Sequence, residues 1–139
     1  MQPLSFTLEF TGEAVELADG RFWAETRADG EPLDGGEALC RRDLEVRSDG
    51  SLVQAGEIRF GGDDAIIFRA DGVLGPSPDP ALRHGAAVFE ITGGRGRLEG
   101  ARGFVTSNFL LADSGELTDR QLGLLFLEER EAQTCESSS

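Results

Sequence analysis

The chain has no lysine and no tyrosine, one histidine (His84) and two cysteines, Cys40 and Cys135, in 139 residues. Each shortage removes a class of chemistry. Without lysine there is no Schiff-base nucleophile. Two cysteines cannot make a disulfide framework, and with a single histidine a Cys/His metal site has too few ligands, so no metal is expected. No apolar run approaches the ~20 residues of a spanning helix; the longest, Leu122 to Leu127, is broken by Gly123. The amino terminus, MQPLSFTLEF, lacks the basic start and continuous apolar core of a secretory signal, so a cytoplasmic protein is expected.

What is present is acid. Thirteen arginines face 26 Asp and Glu, a net charge of −13. Such a surface repels phosphate backbones and anionic headgroups, which argues against nucleic acid and membranes as partners. The length suits one domain with one core.

Along the chain, short alternating segments are punctuated by Gly, Asp and Pro at intervals of roughly 8 to 14 residues, an all-β rhythm. Eight strands are predicted near 4–11, 21–27, 38–47, 51–60, 64–73, 85–92, 103–112 and 119–128. They are followed at 130–139 by a polar tail expected to be disordered. Residues 1–129 then form one domain, either a sandwich or a closed barrel. Closure removes the edge strands, and eight strands leave a lumen for side chains or one small ligand.

The stretch FEITGGRGRLEGARGFV, residues 89–105, packs Gly93, Gly94, Gly96, Gly100 and Gly103 into eleven residues. A dinucleotide fingerprint would require these glycines to open a helix inside a βαβ unit. Gly100, Gly103, Val105 and Thr106 make that helix poor, and GFVTSNFLL reads as another strand. The glycines are therefore expected to serve backbone geometry at a turn.

The same stretch resembles the strand-turn-strand signature of allene oxide cyclase and dirigent-like barrels. Ile91, Thr92, Gly93, Gly94, Gly96, Arg97, Gly100, Ala101, Arg102 and Gly103 all fall in place. The resemblance covers about seventeen residues and implies an eight-stranded antiparallel β-barrel (allene-oxide-cyclase-like, calycin-like), often oligomeric. It also implies an apolar ligand in the lumen and, in several members, cofactor-free ring closure. Bacterial relatives of this type include pericyclases of polyketide pathways. The family's catalytic positions near its amino terminus find no match in LSFTLEFTGEAVEL. From this come the functional expectations: a pericyclase-like cyclase or isomerase of natural-product biosynthesis, with no cofactor, acting on a hydrophobic intermediate. The alternative is a non-catalytic barrel that binds or orients such a molecule. A homo-oligomer, dimer or trimer, is expected.

Site residues follow from the alternation. In 38–47, Arg41, Asp43, Glu45 and Arg47 share one face, while Cys40, Arg42, Leu44 and Val46 share the other, so Arg42 should point inward. A three-residue loop, Ser48-Asp49-Gly50, with Gly50 left-handed sets Arg42 opposite Gly56 and diagonal to Gln54. Gly56 would leave space beside the guanidinium. A two-residue turn would instead pair Arg42 with Glu57 and expose Ile58 and Phe60. Arg42 and Gln54 are thus the candidates to hold or polarise a carbonyl, although an inward arginine is also commonly structural. Phe68, Phe89 and one of Phe22 and Trp23 are expected in the lumen. Asn108 competes for the inside with Val105 and Phe109, and Glu90 should face outward. The proline-rich LGPSPDPALR could cross a barrel mouth and place His84 at its entrance, or be an ordinary surface loop.

Overall fold

A computed structural model describes residues 2–30 and 36–127. It contains eight antiparallel strands: β1 (Gln2–Ala18), β2 (Arg21–Asp29), β3 (Glu37–Val46), β4 (Ser51–Arg59), β5 (Ala65–Pro76), β6 (Leu82–Arg95), β7 (Arg102–Ala112) and β8 (Glu116–Leu127). Each pairs with the next, and β8 returns to β1, closing a barrel. The predicted tail at 130–139 and Cys135 lie outside the described residues. Among the described residues, no helix is long and apolar enough to cross a membrane.

Every predicted strand exists. The main difference is length: β1 runs on to Ala18, because Thr11 to Ala18 pairs with β2. The turn after β3 has the three-residue form. Gly50 takes φ +87°, its N–H bonds to the Arg47 carbonyl, and Arg42 pairs with Gly56.

Inward residues form three tiers. The lower apolar tier is built on Phe6, Phe10, Phe60, Phe68, Phe89 and Ile91. An upper tier contains Ala24, Leu44, Leu52, Leu74, Phe109, Leu111 and Leu117. Between them, five strands contribute buried polar residues: Thr26 on β2, Arg42 on β3, Gln54 on β4, Ser107 on β7, and Asp119 and Gln121 on β8, with the Cys40 thiol of the lower tier beside them. On β3, β7 and β8 this belt is flanked above and below by members of the two apolar tiers.

The glycine stretch plugs the lower end. After Ile91 a bulge shifts the register, so that Ile67 faces Gly93 while Phe68 faces Ile91. A three-residue 3-10 turn, Gly96–Leu98, follows, and β7 begins at Arg102. No longer helix opens at Gly96, so the dinucleotide geometry does not form. Leu98 is fully buried as the stopper, a burial that stabilises by roughly 2 kcal/mol. Gly96 takes φ +65°, a conformation that residues with a Cβ rarely adopt. Asp64 locks the turn: one carboxylate oxygen accepts the Arg97 backbone N–H at 2.8 Å, and the other accepts the Arg97 Nε and NH2 at 2.9 and 2.7 Å.

Candidate functional site: a buried polar belt below an open mouth

Arg42 is the largest fully buried side chain in the barrel. Its NH1 lies 3.0 Å from Asp119 Oδ2, and both side chains are wholly shielded from solvent. Its guanidinium carbon stands 5.6 Å from the Phe89 ring centre and 5.3 Å from that of Phe109. Phe89 is itself stacked on Phe68 at 4.1 Å. The charge is therefore held by one carboxylate and two aromatic faces.

Asp119 is tied in turn by its own strand and by β7. Ser107 Oγ donates to Oδ1 at 2.7 Å, and Gln121 Nε2 donates to Oδ2 at 2.8 Å. Gln121 Nε2 also approaches Cys40 Sγ at 3.9 Å. Burial, the largest influence on Cys40, pushes its thiol up to about 11, against a smaller lowering by Arg42. A thiol that stays protonated at neutral pH is a poor nucleophile.

The belt holds more polar capacity than it uses. Although Arg42 NH1 is within ion-pair distance of Asp119, none of the three guanidinium nitrogens makes a well-directed hydrogen bond. Both amide atoms of Gln54, Gln121 Oε1 and Thr26 Oγ1 are likewise buried without a hydrogen-bond partner. Buried polar atoms are normally satisfied, so the belt holds donors and acceptors that its own side chains leave unpaired.

The nearest opening lies at the end formed by the turns 19–20, 47–50, 77–81 and 113–115. A mouth cavity of about 640 Å³ opens there, with Phe22, Val46, Leu111 and Ala14 on its wall and Glu16, Arg47, Arg83 and Asp113 at its rim. The upper apolar tier separates this cavity from Arg42.

The sequence-predicted residues divide between lumen and outer wall. Arg42, Gln54, Phe68 and Phe89 are inside, and Phe22 reaches the mouth cavity. Trp23 points outward and is 37% exposed, as the alternation with inward Phe22 and Ala24 requires. Asn108 is also outside, because its neighbours Ser107 and Phe109 are buried. His84 is not at the mouth. Ser77 Oγ bonds the carbonyls of Asp79 and Leu82, folding the proline segment into a compact turn, and His84 lines an outer-wall groove with Pro78, Asn108 and Leu110. Glu90 faces outward as expected.

Gly56 has a part in the backbone packing of β3 and β4. A Cβ there would collide with the Arg41 carbonyl and lie 2.8 Å from Arg42 Cα. The glycine lets the β4 backbone approach β3 closely beside the Arg42 Cα and Cβ. Asp119, Gln121 and Ser107 were not found from sequence. For Asp119 and Gln121 the signal is the alternation Leu117, Asp119, Gln121, Leu125 on one face of β8, masked by Leu122, Leu124 and Phe126 on the other.

Compared with known proteins, the chain matches no family model, no curated protein and no solved structure. Among the described residues, no three of His, Cys, Asp and Glu are grouped so as to hold a metal ion.

Proposed function

We propose that the protein is a cofactor-free cyclase or isomerase that takes a hydrophobic molecule carrying a carbonyl or hydroxyl into the barrel. The observation that carries this reading is the cluster of buried, unspent polar atoms on Arg42, Gln54, Gln121 and Thr26 beneath an open mouth. Arg42 is already charge-balanced by Asp119, so the belt favours a neutral polar guest over a second anion, whose charge would find no free counterion. An oxygen at this depth would accept hydrogen bonds from the Arg42 and Gln54 N–H groups, drawing electron density from the adjoining carbon framework. The rings of Phe68, Phe89 and Phe109 would hold the rest of a flexible chain folded, so that rate comes from orientation as well as polarisation. To reach the belt, a guest from the mouth parts Phe109 from Leu44 and Leu117. The likeness of residues 89–105 to allene oxide cyclase and dirigent-like barrels supports the same assignment.

A non-catalytic ligand-binding barrel is the second reading, favoured by one feature: Arg42 is clamped by Asp119 and two rings, a rigid arrangement that suits retention of a guest. A panel of flexible polyene ketones separates the two. The protein is incubated with each, complexes are read by native mass spectrometry, and products by chromatography. A cyclase or isomerase yields a product of unchanged mass, and Gln54→Leu weakens binding. Complexes without product give the binding reading, and no complex with any member overturns both.

A further inference from the structure

The outer wall of β6, β7 and β8 is unusually apolar for a strand face open to water. Val88, Phe104, Leu110, Leu122, Leu124 and Phe126 are exposed by 49%, 58%, 39%, 57%, 47% and 39%. Five of them are neighbours across the sheet: Phe104 pairs with Leu124, Thr106 joins Val88 to Leu122, and Arg102 pairs with Phe126, whereas Leu110 lies two rows away, opposite Thr118. From these exposures the five contiguous residues present about 500 Å² of apolar surface, at the upper end of what monomers show. A standard interface covers about 800 Å² per partner, of which about 65% is apolar in homodimers, again about 500 Å².

The charges on this wall suit a second copy of the same chain. On a protein of net charge −13, the outward positions of these three strands between 84 and 126 that carry charge include Glu90 and Glu116 against Arg102 and Arg120. Two such walls therefore meet without concentrating the acidic excess. Glu90 and Arg102 both adjoin Phe104: Glu90 pairs with it across the sheet, and Arg102 is two residues back along β7. Among the described residues, Arg102 NH1 is bonded to the Ala101 carbonyl. Glu90 lies opposite Arg69, yet among the described residues neither Glu90 nor Arg102 makes an ion pair with a carboxylate or cation. A two-fold axis passing beside Phe104 and Leu124 stacks the apolar side chains on their counterparts. The same axis sets each Arg102 against the other copy's Glu90, the reciprocal contact of an isologous interface.

We infer that this wall is the contact surface of a two-fold homodimer, centred on Phe104 and Leu124 and registered by reciprocal Arg102–Glu90 pairs. Sedimentation equilibrium on the full chain tests it. The expected species has twice the 14.9 kDa of one chain. Phe104→Arg, at an exposed position, should give a folded monomer whose melting temperature no longer depends on protein concentration, as the dimeric parent's does. Glu90→Arg and Arg102→Glu should each raise the dissociation constant at least about tenfold, and the two together should bring it back toward the parent value. A monomeric parent overturns the inference, as does a dimer insensitive to Phe104→Arg or a combined charge reversal no tighter than the single ones. Removal of residues 128–139 turning a monomer into a dimer would show that the chain's own end covers the wall, and sedimentation of a monomer with phosphatidylcholine vesicles would show a lipid-facing wall. Either result also refutes the homodimer.

Discussion

Removing one charge of the Arg42–Asp119 pair should harm the barrel far more than removing both. Arg42→Met keeps the packing volume but leaves the Asp119 carboxylate, wholly buried, with only Ser107 at 2.7 Å and Gln121 at 2.8 Å to satisfy it. Breaking a buried pair from one side costs about 3–5 kcal/mol. Asp119→Asn strands the guanidinium between the Phe89 and Phe109 rings, with a similar expected cost. At about 3–5 °C per kcal/mol for a domain of this size, each single variant should melt roughly 10–20 °C lower. In the combined variant no buried charge is left over. The new amide can still accept from Ser107, and Gln121 can turn its amide so that Oε1, which now has no partner, accepts from the amide nitrogen.

The combined variant should therefore melt within about 5 °C of the parent, or above it, since neutral replacement of a buried pair is often stabilising. Chemical denaturation of all four proteins gives the coupling energy, expected to exceed about 3 kcal/mol. If the combined loss equals the sum of the single losses, the two charges do not act as a unit and the description of the belt fails. The same protein also isolates function from folding: a guest that needs the Arg42 donors will not bind a combined variant that is fully folded.

Four other outcomes follow from the structure. Gly96→Val, at φ +65°, and Gly94→Val, whose Cβ would meet the Leu98 carbonyl, should each cost on the order of 1–3 kcal/mol in thermal melts, whereas Gly93→Val, with open space around it, should stay within about 0.5 kcal/mol. Asp64 has its carboxyl held below the ordinary value of 3.8 by Arg97, so the stabilisation is present above that pH and lost as pH falls through the lower folded value; the melting gap between the parent and Asp64→Asn should be wide at pH 7 and close under acid. Because burial raises Cys40 from 9.0 to about 11, stability should be retained below pH 9 and fall between pH 9 and about 11 by an amount on the order of 2–3 kcal/mol, an effect absent from Cys40→Ala. In a Cys135→Ser background, the Cys40 thiol should react with a disulfide reagent at pH 8 only after denaturant is added.

How much of this was legible in the sequence depended on contrast between strand faces. In β3 the outward side is all charge, so the inward place of Arg42 could be read directly, and the Ser48-Asp49-Gly50 loop then set its register against Gly56. The lower plug was legible as a turn, because its glycines are too dense for a helix. The clamp from Asp64 was not, because it joins residues 33 apart. His84 was displaced from the mouth by Ser77, whose hydroxyl closes the proline segment locally, a contact that proline spacing does not encode.

In β8 the contrast disappears. Leu117 and Leu125 point in, while Leu122, Leu124 and Phe126 point out, and an alternation rule has no basis for choosing between two apolar faces. Asp119 and Gln121, the partners that decide what Arg42 can do, were hidden by that ambiguity. The ambiguity has a physical cause. A strand in a closed barrel needs only one apolar face to cover the core, and leaving large side chains on the other is unfavourable in water unless something else covers them. The feature that conceals the inner carboxylate from a reading of the sequence is thus the same one that leaves the outer wall of β7 and β8 apolar, the surface on which the homodimer inference rests.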